Sequence, residues 1–256
     1  MKWRICSAII LNRKVCVAHG CAKSEIRMTD FGYINRNFSE LKSEISKLED
    51  QHQRKITLVA VTKSGTDEEL LALAEAGVTD IGENRPQELK RRGDLLCSHG
   101  YFPRLHEIGN LQRNKVKLVI EDAHLIHSVD SISLAEEISK QATRLGITAN
   151  VLIEINSAKE ESKGGFAPDE ALDILPKIKA LPSLSVRGIM TMGPVVADPE
   201  EIRPYFRLTK SIFDAAVSAG SFDGEGILSM GMSDSYRVAI EEGSTLVRVG
   251  RKLFSR

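Results

Sequence analysis

Between residues 31 and 53, apolar side chains recur at three- and four-residue steps: Phe31, Ile34, Phe38, Leu41, Ile45 and Leu48. That is the spacing of one helix face. Beyond it the period changes repeatedly. Short β-favouring runs read as strands: "KITLVAV" (55–61), "VTDIG" (78–82), "RLHEIG" (104–109), "LIHSVD" (125–130), "ANVLIEIN" (149–156), "LSVRGIMTM" (184–192), "GILSMG" (226–231) and "TLVRVG" (245–250). Helical patterns separate them at 67–77, 85–96, near 112–117, 133–146, 169–181 with an interruption at Pro176, 199–219 with Pro204 near its first turns, and 234–243.

Strands that alternate with helices call for parallel pairing through right-handed crossovers. Eight such units in about 200 residues predict an α/β fold, a single (β/α)8 TIM-type barrel with an extra N-terminal helix. An open doubly wound sheet is the alternative, and the missing GxGxxG after the first strand weakens it. No linker, low-complexity tract or repeat divides residues 28–256, which read as one domain. Residues 1–27 stand apart. Lys2 and Arg4 precede an apolar run that Asn12, Arg13 and Lys14 end after about seven residues, the bottom of the range for a signal h-region. This stretch reads as a non-core extension, dispensable for folding, with Met28 opening the domain.

Composition narrows the function by exclusion. Of 256 residues, 42% are apolar and 27% charged, an ordinary globular balance. The 35 basic and 35 acidic residues cancel, so there is no electrostatic case for nucleic acid or an anionic membrane. No run reaches the roughly 18 apolar residues of a membrane span. Cys6, Cys16, Cys21 and Cys97 form no CxxC pair, which excludes disulfide and zinc frameworks and predicts a reducing, cytoplasmic setting. His124 and His127, three apart on a strand, are expected on opposite sides, as core or rim histidines rather than metal ligands. "KRR" (90–92) reads as the solvated face of a helix.

Barrel chemistry collects at the C-terminal strand ends. These offer Lys63; Glu83, Asn84, Gln87 and Glu88; Asn110, Gln112, Asn114 and Lys115; Asn156; Thr191; Ser229 and Ser233; and Arg248 with Gly250. Lys63 has three open readings: a rim lysine with its stem along the surface, a salt-bridge partner of Glu83, or an amine that forms a Schiff base with a carbonyl cofactor, pyridoxal 5'-phosphate (PLP) above all. The last requires a phosphate site. "SMGMSDS", with Gly231 for close approach and Ser233 as an expected helix N-cap, offers one, and "RVG" adds Gly250. Asp234 would oppose a phosphate if it pointed inward. Arg248 shares a strand face with Gly250. As an obligate donor it would leave a pyridine nitrogen unprotonated; pairing with a rim carboxylate is its other reading.

These motifs resemble the pyridoxal phosphate homeostasis proteins, PLP-binding barrels similar to the alanine racemase N-terminal domain. The resemblance rests on "AVTK" (60–63), "GENRPQE" (82–88), "HEIGNLQRNKVK" (106–117), "KGGF" (163–166), "GIMTMGP" (188–194) and "LSMGMSDSYRVAIEEGSTLVRVGRKLF" (228–254). It runs in order from about Ile56 to Phe254. The resemblance implies PLP held as an aldimine on Lys63 and Arg248 at the ring nitrogen. It also implies Ser229, Ser233 and Gly250 around the phosphate, Asn84 against the ring face or 3′-oxygen, and Thr191 lining the pocket. It further implies a role in PLP (vitamin B6) homeostasis without catalytic turnover, with delivery to apo PLP-dependent enzymes. "VTKSGT" lacks the proline often found after this lysine, which suggests a looser loop.

The alternative is a PLP-dependent amino-acid racemase. Such racemases take a second base, a tyrosine, from a separate β domain. The sequence ends with the barrel and offers only Tyr33, Tyr101, Tyr205 and Tyr236, none at an evident strand end, so a monomeric carrier is expected. Tyr205 and His106 stay open as pocket residues. An aldolase-like Schiff-base enzyme for sugar phosphates is the third reading.

Overall fold

The computed structural model describes residues 31–160 and 164–256. The extension at 1–27 lies outside the described residues. Eight parallel strands follow in chain order and close into a barrel: β1 (Thr57–Val61), β2 (Asp80–Glu83), β3 (Arg104–Glu107), β4 (Leu125–Val129), β5 (Ala149–Ile155), β6 (Leu184–Thr191), β7 (Ile227–Ser229) and β8 (Leu246–Val249). The closing seam pairs Thr57 with Leu246 through Ala60 with Val249. The helices are α1 (Gly32–His52), α2 (Asp67–Glu75), α3 (Pro86–Ser98), α4 (Val116–Val119), α5 (Ile132–Leu145), α6 (Ala171–Lys179), α7 (Arg203–Ser218), α8 (Tyr236–Glu241) and α9 (Arg251–Phe254). This is the predicted (β/α)8 barrel with its extra first helix. No helix among the described residues is long and apolar enough to cross a membrane.

Local chemistry sets the boundaries. Thr66 caps α2 through a capping box with Glu69. Pro86 opens α3, where a missing N–H costs nothing. Ser131 caps α5 and Gly146 ends it in the left-handed region. Pro176 lies inside α6 without breaking it. The bond it forfeits is to Leu172, whose side chain is exposed, so the gap lies on the solvent side.

Strands of a parallel barrel are covered on both faces, and β2, β4 and β8 are buried along their whole length. Val59, Leu125, Leu152, Met190 and Leu246 fill the interior together with Ile227. Ile153, Ile189, Leu228 and Val247 alternate with the inward positions and meet the helices. Each fully buried aliphatic side chain contributes roughly 1.5–3 kcal/mol. The extra helix α1 packs against α2, α8 and α9, the helices that flank the seam. Asn37 donates to the Leu253 carbonyl at 3.2 Å, and Glu44 pairs with Arg237 and Lys252.

Two sequence expectations need correcting here. Within "KRR", Lys90 and Arg91 are exposed, but Arg92 is buried, because 89, 92, 93 and 96 form the inner stripe of α3. His124 and His127 do not face apart: both rings stack edgewise on His106, at 5.7 and 5.2 Å. His124 precedes β4, and a register shift between Ile126 and Val129 disturbs the strict alternation.

Candidate functional site

A cavity of about 480 Å³ opens at the C-terminal ends of the strands, the face where barrels of this type carry their chemistry. Lys63 enters it from the turn after β1. Thr62 before it is fully buried, while Lys63 itself is exposed and makes no ion pair with any described residue. Its expected partner Glu83 is engaged elsewhere. Glu83 points out of the barrel, where it accepts from Thr62 and, at 2.8 Å, from Arg92. Arg92 also donates to the carbonyls of Thr62 and Gly65, which brace the lysine turn from both sides. The turn, which has no proline after Lys63, is thus stapled by a side chain.

Asn84 and Asn110 reach the cavity from the loops after β2 and β3. The two loops touch: a Cβ on Gly109 would stand 2.1 Å from the Asn84 carbonyl oxygen, so only glycine fits there. Ser233 and Gly250 share one corner, with the Gly250 N–H donating to Ser233 Oγ at 3.2 Å. A Cβ on Gly250 would meet the Val61 carbonyl at 2.9 Å. Asp234 is exposed and off the cavity wall, and its charge is paired with Arg251, which does line the cavity. Ser233 is not the helix cap, because α8 begins only at Tyr236, after the turn at 233–235.

Arg248 lies in the cavity floor and is 4% exposed. Its Nη1 donates to the Ser229 carbonyl at 3.0 Å and to Ser229 Oγ, and its Nη2 to the Thr191 carbonyl at 3.0 Å. No carboxylate among the described residues is in salt-bridge contact with it, so none of them makes the rim-carboxylate pairing. Burial lowers its pKa to about 10, opposed by the charge of Glu154, and it stays protonated at neutral pH.

Two expected site residues are placed differently. The Thr191 side chain does not line the cavity. It bonds to the Ile155 carbonyl at 2.8 Å and to Ser157 at 2.9 Å, while its neighbours Met190 and Met192 face inward. Only its carbonyl serves the site, through Arg248. Ser229 does face inward, but one layer below the cavity. Its hydroxyl is committed to Arg248 and His127 and cannot meet a phosphate beside Ser233. Gln87, Glu88, Gln112, Asn114, Lys115 and Asn156 also stay off the cavity wall, as do all described tyrosines and His106.

Sequence reasoning missed four polar residues of the cavity wall, Ser64, Ser128, Glu154 and Arg251. Ser128 is 2% exposed and lines the cavity with a hydroxyl that has no hydrogen-bond partner. Glu154 on β5 presents its carboxyl to the cavity. Burial raises its pKa to about 7, the Asp130 charge adds to the shift, and Arg248 opposes it. The alternation of "VLIEIN" could have placed Glu154 inward; nothing in the sequence marks Ser128, which the β4 irregularity turns toward the cavity.

Residues 37–255 match the sequence profile of the alanine racemase N-terminal domain. The pyridoxal phosphate homeostasis protein of Aquifex aeolicus is 39% identical over 197 residues, which are 77% of this chain and 85% of that protein. The protein of the same name from Helicobacter pylori is 37% identical over 202 residues, 78% of this chain and 87% of the relative. Among solved structures, PipY of Synechococcus elongatus with PLP bound superposes with a TM-score of 0.75 at 28% identity, covering 87% of this chain and all of PipY.

Proposed function

Since the chain belongs to the pyridoxal phosphate homeostasis protein family, we propose that it binds PLP in the barrel-mouth cavity, covalently through Lys63, and serves PLP homeostasis as a carrier without turnover. One observation carries this reading: an unpaired lysine, a buried guanidinium and a glycine-serine corner converge on one cavity. The donor set suits the cofactor. Arg248 in the cavity floor suits the ring nitrogen and, as an obligate donor, would leave it unprotonated. Ser233, Gly250 and the first N–H groups after it suit a phosphate, since they lack intrahelical partners. Asn84 on the cavity wall would border the ring, and the unpartnered Ser128 hydroxyl is free to bond to the cofactor. The cofactor supplies an aldehyde that condenses with amines and an electron-withdrawing ring. Delivery to apo PLP-dependent enzymes and a monomeric, cytoplasmic state complete the proposal.

Glu154 is the one observation that favours a racemase-like reading, because it adds a second titratable group beside Lys63. The carrier reading stands because no described tyrosine or histidine lines the cavity. Protein incubated with PLP is expected to show a visible absorption band that borohydride discharges and that Lys63→Ala lacks. Absence of the band in the parent protein would overturn the covalent reading. Interconversion of amino-acid enantiomers by the loaded protein, above the rate of free PLP, would replace the carrier with the racemase.

A further inference from the structure

Below the cavity, five polar residues cross a barrel interior that apolar side chains normally fill. Arg248 Nη1 donates to Ser229 Oγ, which lies 3.1 Å from His127 Nδ1. His127 Nε2 is 2.9 Å from His106 Nδ1, and His106 Nε2 is 2.9 Å from Asp80 Oδ1. The other Asp80 oxygen accepts from Arg104 at 2.7 Å and Thr79 at 2.8 Å. The residues come from β8, β7, β4, β3 and β2, and none of the five is more than 4% exposed. Arg104 at the far end is half exposed, so the chain spans from the cavity floor to the opposite mouth of the barrel.

Donor counting fixes the protons. The Asp80 carboxylate only accepts; burial works against its charge, but the bonds from His106, Arg104 and Thr79 outweigh it and hold its pKa at about 2. His106 therefore carries its proton on Nε2. Its Nδ1 then accepts from His127 Nε2–H, and His127 Nδ1 accepts from the Ser229 hydroxyl, whose lone pairs receive Arg248. Each of the four ring nitrogens and the Ser229 proton then has one partner. A charged His127 would instead donate at both ring nitrogens and leave the Ser229 proton without a partner, and full burial disfavours that charge. All the O–H and N–H bonds point from Arg248 toward Asp80. The buried guanidinium has no carboxylate among the described residues in contact, and such a charge is costly unless the surroundings compensate it.

We propose that Ser229, His127, His106 and Asp80 are positioning residues that anchor the Arg248 fork in the cavity floor and relay the Asp80 charge to it. The consequence for PLP rests on the function proposed above; the chain itself does not. Long-range proton–nitrogen NMR on histidine-labelled protein without cofactor is expected to find His127 neutral at pH 7 with its proton on Nε2, and the His106 proton facing Asp80 on Nε2. A proton on Nδ1, or a charged His127, would overturn the chain.

PLP titrations then test the role. Ser229→Ala and His127→Leu are expected to weaken PLP about tenfold, the scale of one lost bond to a charged group, and to move the pH midpoint of the bound-cofactor absorbance. His127→Gln, which can accept and donate at its two ends, should recover most of the loss. Parent-like affinity and midpoint in Ser229→Ala would overturn the positioning role. That variant removes one hydroxyl and decides the matter even if His127→Leu misfolds. Failure of the parent protein to bind PLP would sink the functional reading, while the NMR result still judges the chain.

Discussion

Glu107 is fully buried on the outer side of β3, with one oxygen accepting from the Gly109 N–H at 3.1 Å and the other without a partner. Burial raises its pKa to about 8; the Gly109 bond opposes the shift and the Glu83 charge adds to it. The folded state therefore holds a proton that the unfolded chain releases near 4.5. Its contribution is complete below that pH and is lost as pH rises toward about 8. Relative to the parent, Glu107→Gln should gain by up to about 1.4 kcal/mol per pH unit across this window. Urea midpoints at several pH values would show it, and a pH-independent difference would refute it. At this scale the sequence was legible where chemistry and strand end coincide, as at Lys63, Arg248 and Gly250. It misled at Thr191. Arg187 is an extra residue in β6, because Val151 faces Val186 but Leu152 faces Gly188. One such bulge flips every later side chain to the other face, and the apolar run on both sides hides it.

Helix α2 follows the lysine turn directly, so its start fixes where that turn ends. Thr66 Oγ1 accepts from the Glu69 N–H at 3.2 Å, and Glu69 accepts from the Thr66 N–H at 2.7 Å. Glu69 also receives the Tyr33 hydroxyl from α1. Thr66→Ala should cost about 1 kcal/mol in denaturant unfolding, and an unchanged midpoint would mean that Tyr33 and Arg92 suffice to hold this segment. The cap could be read from the sequence, since Thr66 and Glu69 stand three apart before an apolar run. Arg92 could have been read too: it stands three residues after Leu89 on the stripe with Gly93 and Leu96, and the charge run around it drew attention away. The late start of α8 was not readable. The turn before it is closed by the Met232 N–H to Ser235 Oγ bond at 3.1 Å, which competes with capping by Ser233.

The barrel as a whole was legible because period-2 and period-3.6 segments alternate eight times, and closure follows from the strand count. All eight strands lie between Thr57 and Val249, with α1 beginning at Gly32. A chain starting at Met28 is accordingly expected to fold with the parent melting temperature and to bind PLP equally well; loss of folding would show that residues 1–27 belong to the core. What the sequence could not convey is which buried groups meet across the interior, since Asp80, His106, His127, Ser229 and Arg248 are neighbours only once the barrel has closed.

The β1–β8 seam carries a kinetic consequence. Each other strand pairs with its successor in the chain, so those pairings are local, while the seam joins the chain's most distant strands and bears the largest loop-closure entropy. Lys63 follows one side of the seam and Arg248 with Gly250 forms the other. A ligand gripped by both acts as a clasp: it must leave, or tear, before the barrel can unzip there. Its residence time and the unfolding rate of the loaded protein are then governed by the same event.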